Sequence, residues 1–177
     1  MEHCGIKLIK TRRLILRQFK EEDSFQMFKN WANDNEVTRY LTRETHKNLE
    51  VTKEIINIWV SSYPNLDFYQ WVVTYQNTPI GSISIMNIND VLETAEVGYC
   101  FSKKFRNNGF ATESLNAIID FCFNEIKLKK LIGRFDSENI GSGKVMAKCG
   151  LKYLDTTYDF IKNKQRKIIR FYINNNF

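Results

Sequence analysis

The feature that most constrains this chain is a strand-like segment that passes through a short basic loop into an amphipathic helix. Residues 95–101 have the pattern of a strand, and the loop Phe-Arg-Asn-Asn-Gly follows at positions 105–109. From Ala111 onward, apolar residues recur at helical spacing at positions 115, 118, 119 and 122. The sequence therefore predicts a strand, a tight loop and a helix in that order.

The start of this helix predicts an anion-binding site. A helix that begins in such a loop presents unpaired backbone N–H groups and the positive end of its dipole. Gly109 allows close approach of a ligand, Ala111 keeps the next turn slim, and Arg106 adds a positive charge. The loop lacks the Gly-Lys-Ser/Thr ending of an ATP-binding P-loop and the three glycines of the dinucleotide fingerprint. The alternative is an ordinary basic loop before a surface helix.

Composition limits the class of protein. A length of 177 residues is ample for one core, so we expect a single domain over 1–177. The absence of a long apolar run and of a signal-peptide pattern predicts a cytoplasmic protein without a membrane partner. The four cysteines show no CxxC pairing, which favours reduced thiols over disulfides or a zinc site, and we expect no metal.

The net charge of +6 has two interpretations. One is affinity for nucleic acid or the ribosome, and the other is a basic site for an anionic cofactor among scattered surface lysines. The positive charges are spread along the chain and form no long block. We therefore expect no direct nucleic-acid binding.

The periodicity predicts a mixed α/β (α+β) fold in the order β-α-α-β-β-β-α-β-α-β-β. The first half comprises a strand at 11–18, a helix at 21–32, a loop at 33–45, and a helix that Asn48 caps and that presents Val51, Ile55, Ile58 and Trp59. Strands at 68–75, 79–88 and 93–101 should form an antiparallel meander. After the helix that ends near Asn124, we expect a parallel strand at 130–135, a helix at 142–148, and a hairpin of 153–161 and 167–173.

Four local motifs stand in this order along the chain. They are Thr-Arg-Arg-Leu-Ile-Leu-Arg at 11–17, Glu-Val-Gly-Tyr at 96–99, Arg106-x-x-Gly109-x-Ala111-Thr112-Glu113, and Asn139-x-x-Ser142 followed by Lys148-x-Gly150-Leu151. Together they resemble the motifs of the GNAT acyltransferases, in the RimJ/RimL-like branch of ribosomal-protein N-acetyltransferases. The resemblance covers residues 11–173 and departs slightly at Leu151, where the family has Phe.

The resemblance implies a GNAT fold, with a V-shaped splay between the two central strands, and acetyl-CoA as co-substrate. The pantetheine arm would lie like an added strand beside Tyr99, Cys100 and Phe101, whose backbone N–H groups would polarise the thioester carbonyl. Asn139 would bind the pantetheine amide, although its alternative role is that of a turn residue. The pyrophosphate would bind at the loop of Arg106, Asn107, Asn108, Gly109, Phe110, Ala111 and Thr112.

The resemblance also suggests catalytic residues. Many family members place a tyrosine seven residues after the asparagine to protonate the leaving thiolate, and this chain has Met146 there. In the RimJ/RimL-like branch the serine, here Ser142, takes that role, and its alternative role is a helix-capping hydroxyl. Glu96 is the candidate general base, because it shares a strand face with Gly98 and Cys100. Its alternative is a strand-end carboxylate paired with a lysine, and Glu93, Asp155 and Tyr158 are other candidates.

Cys100 could act as an acylated nucleophile or as a packed core thiol. No histidine lies near it in the sequence to activate it, and His3 and His46 fall in segments where we expect surface positions. Direct attack by the amine in a ternary complex is therefore preferred.

These observations predict an acetyl-CoA-dependent N-acetyltransferase acting on a primary amine. The acceptor would be a protein or peptide N-terminus, such as that of a ribosomal protein, or a small amine. Its selectivity would lie in residues 33–45 and 155–167. A non-catalytic CoA-binding module and a basic ribosome- or RNA-binding protein remain the alternatives, and a homodimer stays open.

Overall fold

The computed structural model describes residues 1–175. The strands are β1 (Ile9–Lys10), β2 (Leu14–Gln18), β3 (Tyr69–Tyr75), β4 (Thr78–Asn89), β5 (Thr94–Phe101), β6 (Lys130–Asp136), β7 (Lys152–Ile161) and β8 (Lys164–Asn174). The helices are α1 (Asp23–Met27), which continues as a π-helical turn over Phe28–Ala32, α2 (Asn35–Thr38), α3 (Leu49–Ser62), α4 (Phe110–Asn124) and α5 (Ile140–Lys148). A 3-10 turn at Lys103–Phe105 precedes α4.

All eight strands form one mixed sheet in the order β1-β2-β3-β4-β5-β6-β8-β7. Only β5 and β6 are parallel, because α4 carries the chain back across the sheet between them. The predicted α/β class and element order are confirmed, with two additional short elements, β1 and α2. The prediction of a continuous loop over 33–45 is wrong at α2, where the Asp34 side chain accepts the Glu36 N–H at 3.0 Å and starts a turn.

The two central strands separate halfway along their length. β5 pairs with β6 only between Thr94–Val97 and Lys130–Gly133. Beyond this point β5 continues against β4 as far as Phe101, and β6 continues against β8 as far as Asp136. The predicted V-shaped splay is therefore confirmed, and it opens a gap in the middle of the sheet.

Each face of the sheet carries its own apolar core. The larger core packs α4 and α5 against the sheet, and its fully buried members include Trp71, Leu115 and Leu131. The smaller core packs α3 and the π-helical turn against the opposite face, around Trp31 and Ile56. Within residues 1–175, no helix has the length and apolar character needed to cross a membrane.

The predicted apolar faces of the first two long helical segments are confirmed only in part. Asn48 caps α3 as predicted, by accepting the Val51 N–H at 3.1 Å. Ile58 is nevertheless 59% exposed, and the buried stripe is Thr52, Ile56 and Trp59. In the first segment the sequence favours a stripe of Phe25, Phe28 and Ala32 with Met27 and Trp31 beside it. Phe25 is 55% exposed, whereas Met27, Trp31 and Ala32 are buried.

Candidate active site

A cleft of about 780 Å³ opens where β5 and β6 separate. Its walls come from β5, β6, α2, α5 and the N-terminal turn of α4. Every residue that the sequence predicted for the site lines this cleft except Asn108. The lining members are Glu96, Tyr99, Cys100, Phe101, Arg106, Asn107, Gly109, Phe110, Ala111, Thr112, Asn139 and Ser142.

The N-terminus of α4 presents backbone donors to the cleft. Gly109, with a φ of +76°, precedes the helix in the left-handed region. The first backbone hydrogen bond of this turn runs from the Glu113 N–H to the Gly109 carbonyl at 2.9 Å. The N–H groups of Phe110, Ala111 and Thr112 precede that bond and so have no acceptor within the helix. This geometry suits an anion, as the sequence predicts.

A network around Glu113 fixes the loop to the rest of the sheet. Glu113 accepts hydrogen bonds from the Thr11 hydroxyl at 2.6 Å, from the Arg13 backbone N–H at 2.9 Å and from Arg13 Nε at 2.7 Å. Arg13 also donates to the Asn108 carbonyl at 2.9 Å and lies 4.6 Å from the centre of the Phe110 ring. Partial burial raises the pKa of Glu113, but the bonds from Thr11 and Arg13 outweigh it and the pKa is lowered. Arg13 and Glu113 belong to separate motifs in the sequence, and no spacing within the sequence connects them.

Asn108 and Arg106 face partners within the protein. The Asn108 side chain donates to the carbonyls of Phe105 at 3.3 Å and Arg106 at 3.0 Å, so it holds the loop together from within. The Arg106 guanidinium donates to Glu36 at 2.8 Å, and Lys103 lies 3.4 Å from the same carboxylate. These two cations lower the pKa of Glu36. The positive charge of Arg106, which the sequence assigned to the pyrophosphate, therefore also interacts with Glu36 on α2.

Two hydroxyl groups meet in the lining of the cleft. The hydroxyl oxygens of Tyr99 on β5 and Ser142 on α5 lie 2.9 Å apart. Asn139 is the N-cap of α5, and its side-chain oxygen accepts the Ser142 N–H at 3.4 Å. Capping therefore falls to Asn139, and the Ser142 hydroxyl is left to bond with Tyr99. Burial raises the pKa of Tyr99, so its hydroxyl stays protonated.

Met146 occupies the helix position where many relatives of this fold would carry a tyrosine. Its side chain is 1% exposed and belongs to the larger core. It packs against Gly133 so closely that a Cβ on this glycine would lie 2.6 Å from the Met146 sulfur. No hydroxyl enters the cleft from this position.

Glu96 lies on the strand face opposite Tyr99, as the alternation of β5 predicts. Asn87 donates to its carboxylate at 2.8 Å, and Arg134 lies 3.9 Å away. Arg134 also contacts Asp159. Glu96 is thus paired with an arginine, not a lysine, and it remains at the cleft wall.

The other candidate bases lie outside the cleft lining. Glu93 binds the amino group of Met1 and contacts Lys129, whereas Asp155 pairs with Arg170, which lowers its pKa. Tyr158 is 64% exposed on β7.

Cys100 lines the cleft, and enclosure by the protein raises the pKa of its thiol to about 12, although Arg106 and Arg43 act in the opposite direction. The thiol is therefore protonated near neutral pH. The expectation that His46 lies at the surface is wrong, since it is buried and its Nδ1 bonds the Thr52 hydroxyl at 2.7 Å. His3 lies beside Tyr69 and Asp90, so within residues 1–175 neither histidine lines the cleft.

The two segments predicted to select the acceptor meet over the mouth of the cleft. Val37, Tyr40 and Leu41 line it from the first segment, and Ile161 lines it from the second. Lys162 donates to the Thr38 carbonyl at 3.0 Å and so joins them.

Comparisons with known proteins agree with this geometry. Residues 13–152 match the family model of the acetyltransferase (GNAT) domain. The uncharacterized N-acetyltransferase YoaA of Bacillus subtilis (strain 168) is 27% identical over 147 residues, which cover 82% of this chain and 82% of that protein. Among solved structures, an acetyltransferase (GNAT family) from Bacillus anthracis has a TM-score of 0.85 at 24% identity, covering 97% and 100% of the two chains. The RimL ribosomal L7/L12 alpha-N-protein acetyltransferase in complex with coenzyme A has a TM-score of 0.85 at 14% identity, covering 95% and 98%.

Proposed function

The chain belongs to the GNAT acetyltransferase family, and from this premise we propose that it transfers an acetyl group from acetyl-CoA to a primary amine. The observation that carries the proposal is the cleft itself. One continuous cavity joins the N-terminus of α4, the hydroxyls of Tyr99 and Ser142, and the carboxylate of Glu96. The groups proposed as anion site, proton donor and base thus border the same space.

The donor half of the cleft would hold acetyl-CoA. The free N–H groups of Phe110, Ala111 and Thr112 would bind the pyrophosphate, with support from Asn107 and Arg106. The pantetheine arm would run along the open edge of β5, over Tyr99, Cys100 and Phe101, where β6 has separated from it. The coenzyme A that RimL holds in its solved complex supports this class of ligand.

Ser142 and Glu96 would divide the proton transfers. Glu96 would take a proton from the attacking amine, directly or through water, while Ser142 would protonate the departing thiolate. Asn139 would orient the pantetheine amide beside Ser142. The two strand faces keep the carboxylate and the hydroxyl on opposite sides of β5, so the acceptor and donor approach from opposite sides.

The acetyl group would pass directly to the amine within a ternary complex. A covalent route through Cys100 would need its thiolate, and a pKa of about 12 keeps this thiol protonated at neutral pH. In addition, the cleft lining contains no histidine that could remove the thiol proton.

The acceptor would be an α-amine on a peptide or a small amine of similar basicity. An α-amine has a pKa of about 8 and a lysine about 10.4, so the α-amine needs roughly 3 kcal/mol less for deprotonation. That difference matters where the base, like Glu96, is a carboxylate already bound by Asn87 and close to Arg134. RimL, a ribosomal L7/L12 alpha-N-protein acetyltransferase, acts on an acceptor of this class. The four free cysteines further support a reducing compartment such as the cytoplasm.

The test is thiol release from acetyl-CoA across a matched panel of acceptors. The panel contains a peptide with a free N-terminus, the same peptide blocked at its N-terminus but carrying lysine, and an aliphatic diamine. We expect the fastest release with the free N-terminus. Faster release with the blocked lysine peptide would contradict the acceptor class. Saturable acetyl-CoA binding without any release would favour a regulatory CoA-binding module, and RNA binding without acetyl-CoA binding would favour the nucleic-acid alternative.

A further inference from the structure

The Tyr99 hydroxyl pairs with Ser142. It donates to the Ser142 carbonyl at 3.0 Å, and its oxygen lies 2.9 Å from the Ser142 hydroxyl oxygen. Its ring packs against the larger core, which fixes the direction of the hydroxyl. The residues are 43 positions apart in the chain and come from different elements. The pair therefore exists only because β5 and α5 face each other across the cleft.

The hydrogens of this pair have two arrangements. In the structure the single Tyr99 hydrogen is donated to the carbonyl, so the Ser142 hydroxyl donates to Tyr99 and its hydrogen is not available to a ligand. If Tyr99 donates to the Ser142 hydroxyl oxygen, the Ser142 hydrogen is free to point into the cleft. Only the second arrangement lets Ser142 donate to a ligand.

We propose that Tyr99 is a positioning residue that, once a thioester occupies the cleft, turns its hydrogen from the Ser142 carbonyl to Ser142 Oγ and thereby leaves the Ser142 proton free to reach the leaving sulfur. The inference rests on the proposed function, in which Ser142 protonates the departing thiolate. The same hydrogen bond stabilises the negative charge that develops on Ser142 Oγ as its proton moves. The sequence predicts that Tyr99 contacts the cofactor through its backbone, whereas the role proposed here belongs to its side chain.

The step balances in atoms and electrons. The amine nitrogen forms a bond to the thioester carbon, the carbon–sulfur bond breaks, and its electron pair goes to sulfur. The Ser142 proton moves to sulfur and gives the free thiol. The amine gives up one proton to Glu96, which passes it to solvent, and Ser142 recovers one proton from solvent.

Met146 explains why a hydroxyl from β5 would be needed. The position seven residues after Asn139 holds a buried, apolar side chain packed against Gly133. That position therefore supplies no phenolic hydroxyl. Under the proposal, the hydroxyl of Tyr99 on β5 serves instead and acts on the reacting sulfur through Ser142. The thiol of Cys149 lies near Tyr99, and burial raises the pKa of this thiol to about 11, so it stays neutral.

The test measures the pKa of the thiol of bound coenzyme A, followed by the ultraviolet absorbance of its thiolate, and needs no acceptor. A donor aimed at sulfur stabilises the thiolate, so we expect Ser142→Ala to raise this pKa. Tyr99→Phe should raise it as well, and the double variant should raise it no further than Ser142→Ala alone. With the acceptor peptide, Tyr99→Phe should lower kcat about tenfold at unchanged KM for acetyl-CoA. The matched control is Tyr153→Phe, which removes a hydroxyl bonded to Thr156 at 3.0 Å outside the cleft lining, and it should change neither value.

The outcomes separate the two levels of the argument. Phenylalanine keeps the ring in the core, and an unchanged melting temperature would show that the variant is folded. A wild-type thiol pKa in Tyr99→Phe, with a raised one in Ser142→Ala, would overturn the role of Tyr99 and leave the proposed function standing. Additive effects in the double variant would also overturn it. If Ser142→Ala leaves the thiol pKa unchanged, the role of Ser142 fails and that of Tyr99 fails with it. If the wild-type protein does not bind coenzyme A, the proposed function fails.

Discussion

Arg106 donates a hydrogen bond of 2.8 Å to Glu36, and this pair joins the loop before α4 to helix α2. Both side chains line the cleft and both are about half exposed. A pyrophosphate at the α4 N-terminus would compete with the Glu36 carboxylate for the same guanidinium. The pair therefore couples the proposed cofactor site to the segment at the mouth of the cleft.

Replacing Glu36 with glutamine should tighten the binding of coenzyme A, because it removes the competing negative charge. We expect about a threefold decrease in Kd at low ionic strength and a smaller decrease at high salt, as for an exposed ion pair. Calorimetric titration at two salt concentrations measures this. Glu50→Gln is the matched control, since Glu50 pairs with Lys53 on α3 and lies outside the cleft lining. Weaker binding in Glu36→Gln would show that Glu36 supports the cofactor.

Acetyl-CoA should raise the melting temperature of the wild-type protein, and Gly109→Glu should abolish the increase. Stabilisation of about 2.7 kcal/mol is expected when the ligand is at a hundred times its Kd. The glutamate places a side chain and a negative charge where the pyrophosphate would bind. Gly150→Glu is a matched control, because Gly150 also has a positive φ, +85°, and lies outside the cleft lining. It should destabilise the protein and yet retain the shift, and an undiminished shift in Gly109→Glu would refute the loop assignment.

Glu113→Gln should destabilise the protein by about 1 kcal/mol at neutral pH, a low value for charged hydrogen bonds because Arg13 is partly exposed. The folded-state pKa of Glu113 is lowered, so its contribution is present above its unfolded pKa of about 4.3 and is lost as pH falls through the folded value. Chemical denaturation of both proteins across this range should show their stabilities converging at acid pH. A difference that stays constant with pH would mean that the charge of Glu113 plays no part.

Ser142→Ala should lower kcat by about a hundredfold and leave the affinity for acetyl-CoA nearly unchanged, because a proton donor acts mainly in the transition state. Steady-state rates and binding titrations, measured on the same preparation, separate the two effects. Ser62→Ala serves as the control, since the Ser62 hydroxyl bonds a backbone carbonyl within α3. If kcat holds and affinity falls, Ser142 is a binding residue.

The sequence was most informative where the signal is local. Strand alternation and helical spacing identify β3, β4, β5 and α4, because each pattern repeats within a few residues. Gly109 and the residues around it identify the loop for the same reason. Twelve of the thirteen predicted site residues line one cleft, and the exception is Asn108, an exposed residue whose side chain binds the loop carbonyls.

The contacts that the sequence could not predict connect distant parts of the chain. Glu36 and Arg106 are 70 positions apart, and Arg13 and Glu113 are 100 apart, so no spacing rule relates them. The buried stripe of α3 was also missed, since apolar side chains occur on adjacent faces and the sheet decides between them. The burial of His46 was missed for another reason: Thr52 is only six positions away, but the contact depends on how the loop before α3 folds back onto that helix.

The separation of β5 from β6 makes the sheet two leaves joined along a short seam. One leaf holds β1 to β5 and the other holds β6, β8 and β7. The seam consists of the ladder between Thr94–Val97 and Lys130–Gly133, while the adjoining ladders, β4 with β5 and β6 with β8, run farther along the strands. A molecule bound in the cleft would contact both leaves and link them across the seam. A mechanical force that pulls the two leaves apart would therefore act on this short ladder, and a molecule bound in the cleft would carry part of that force.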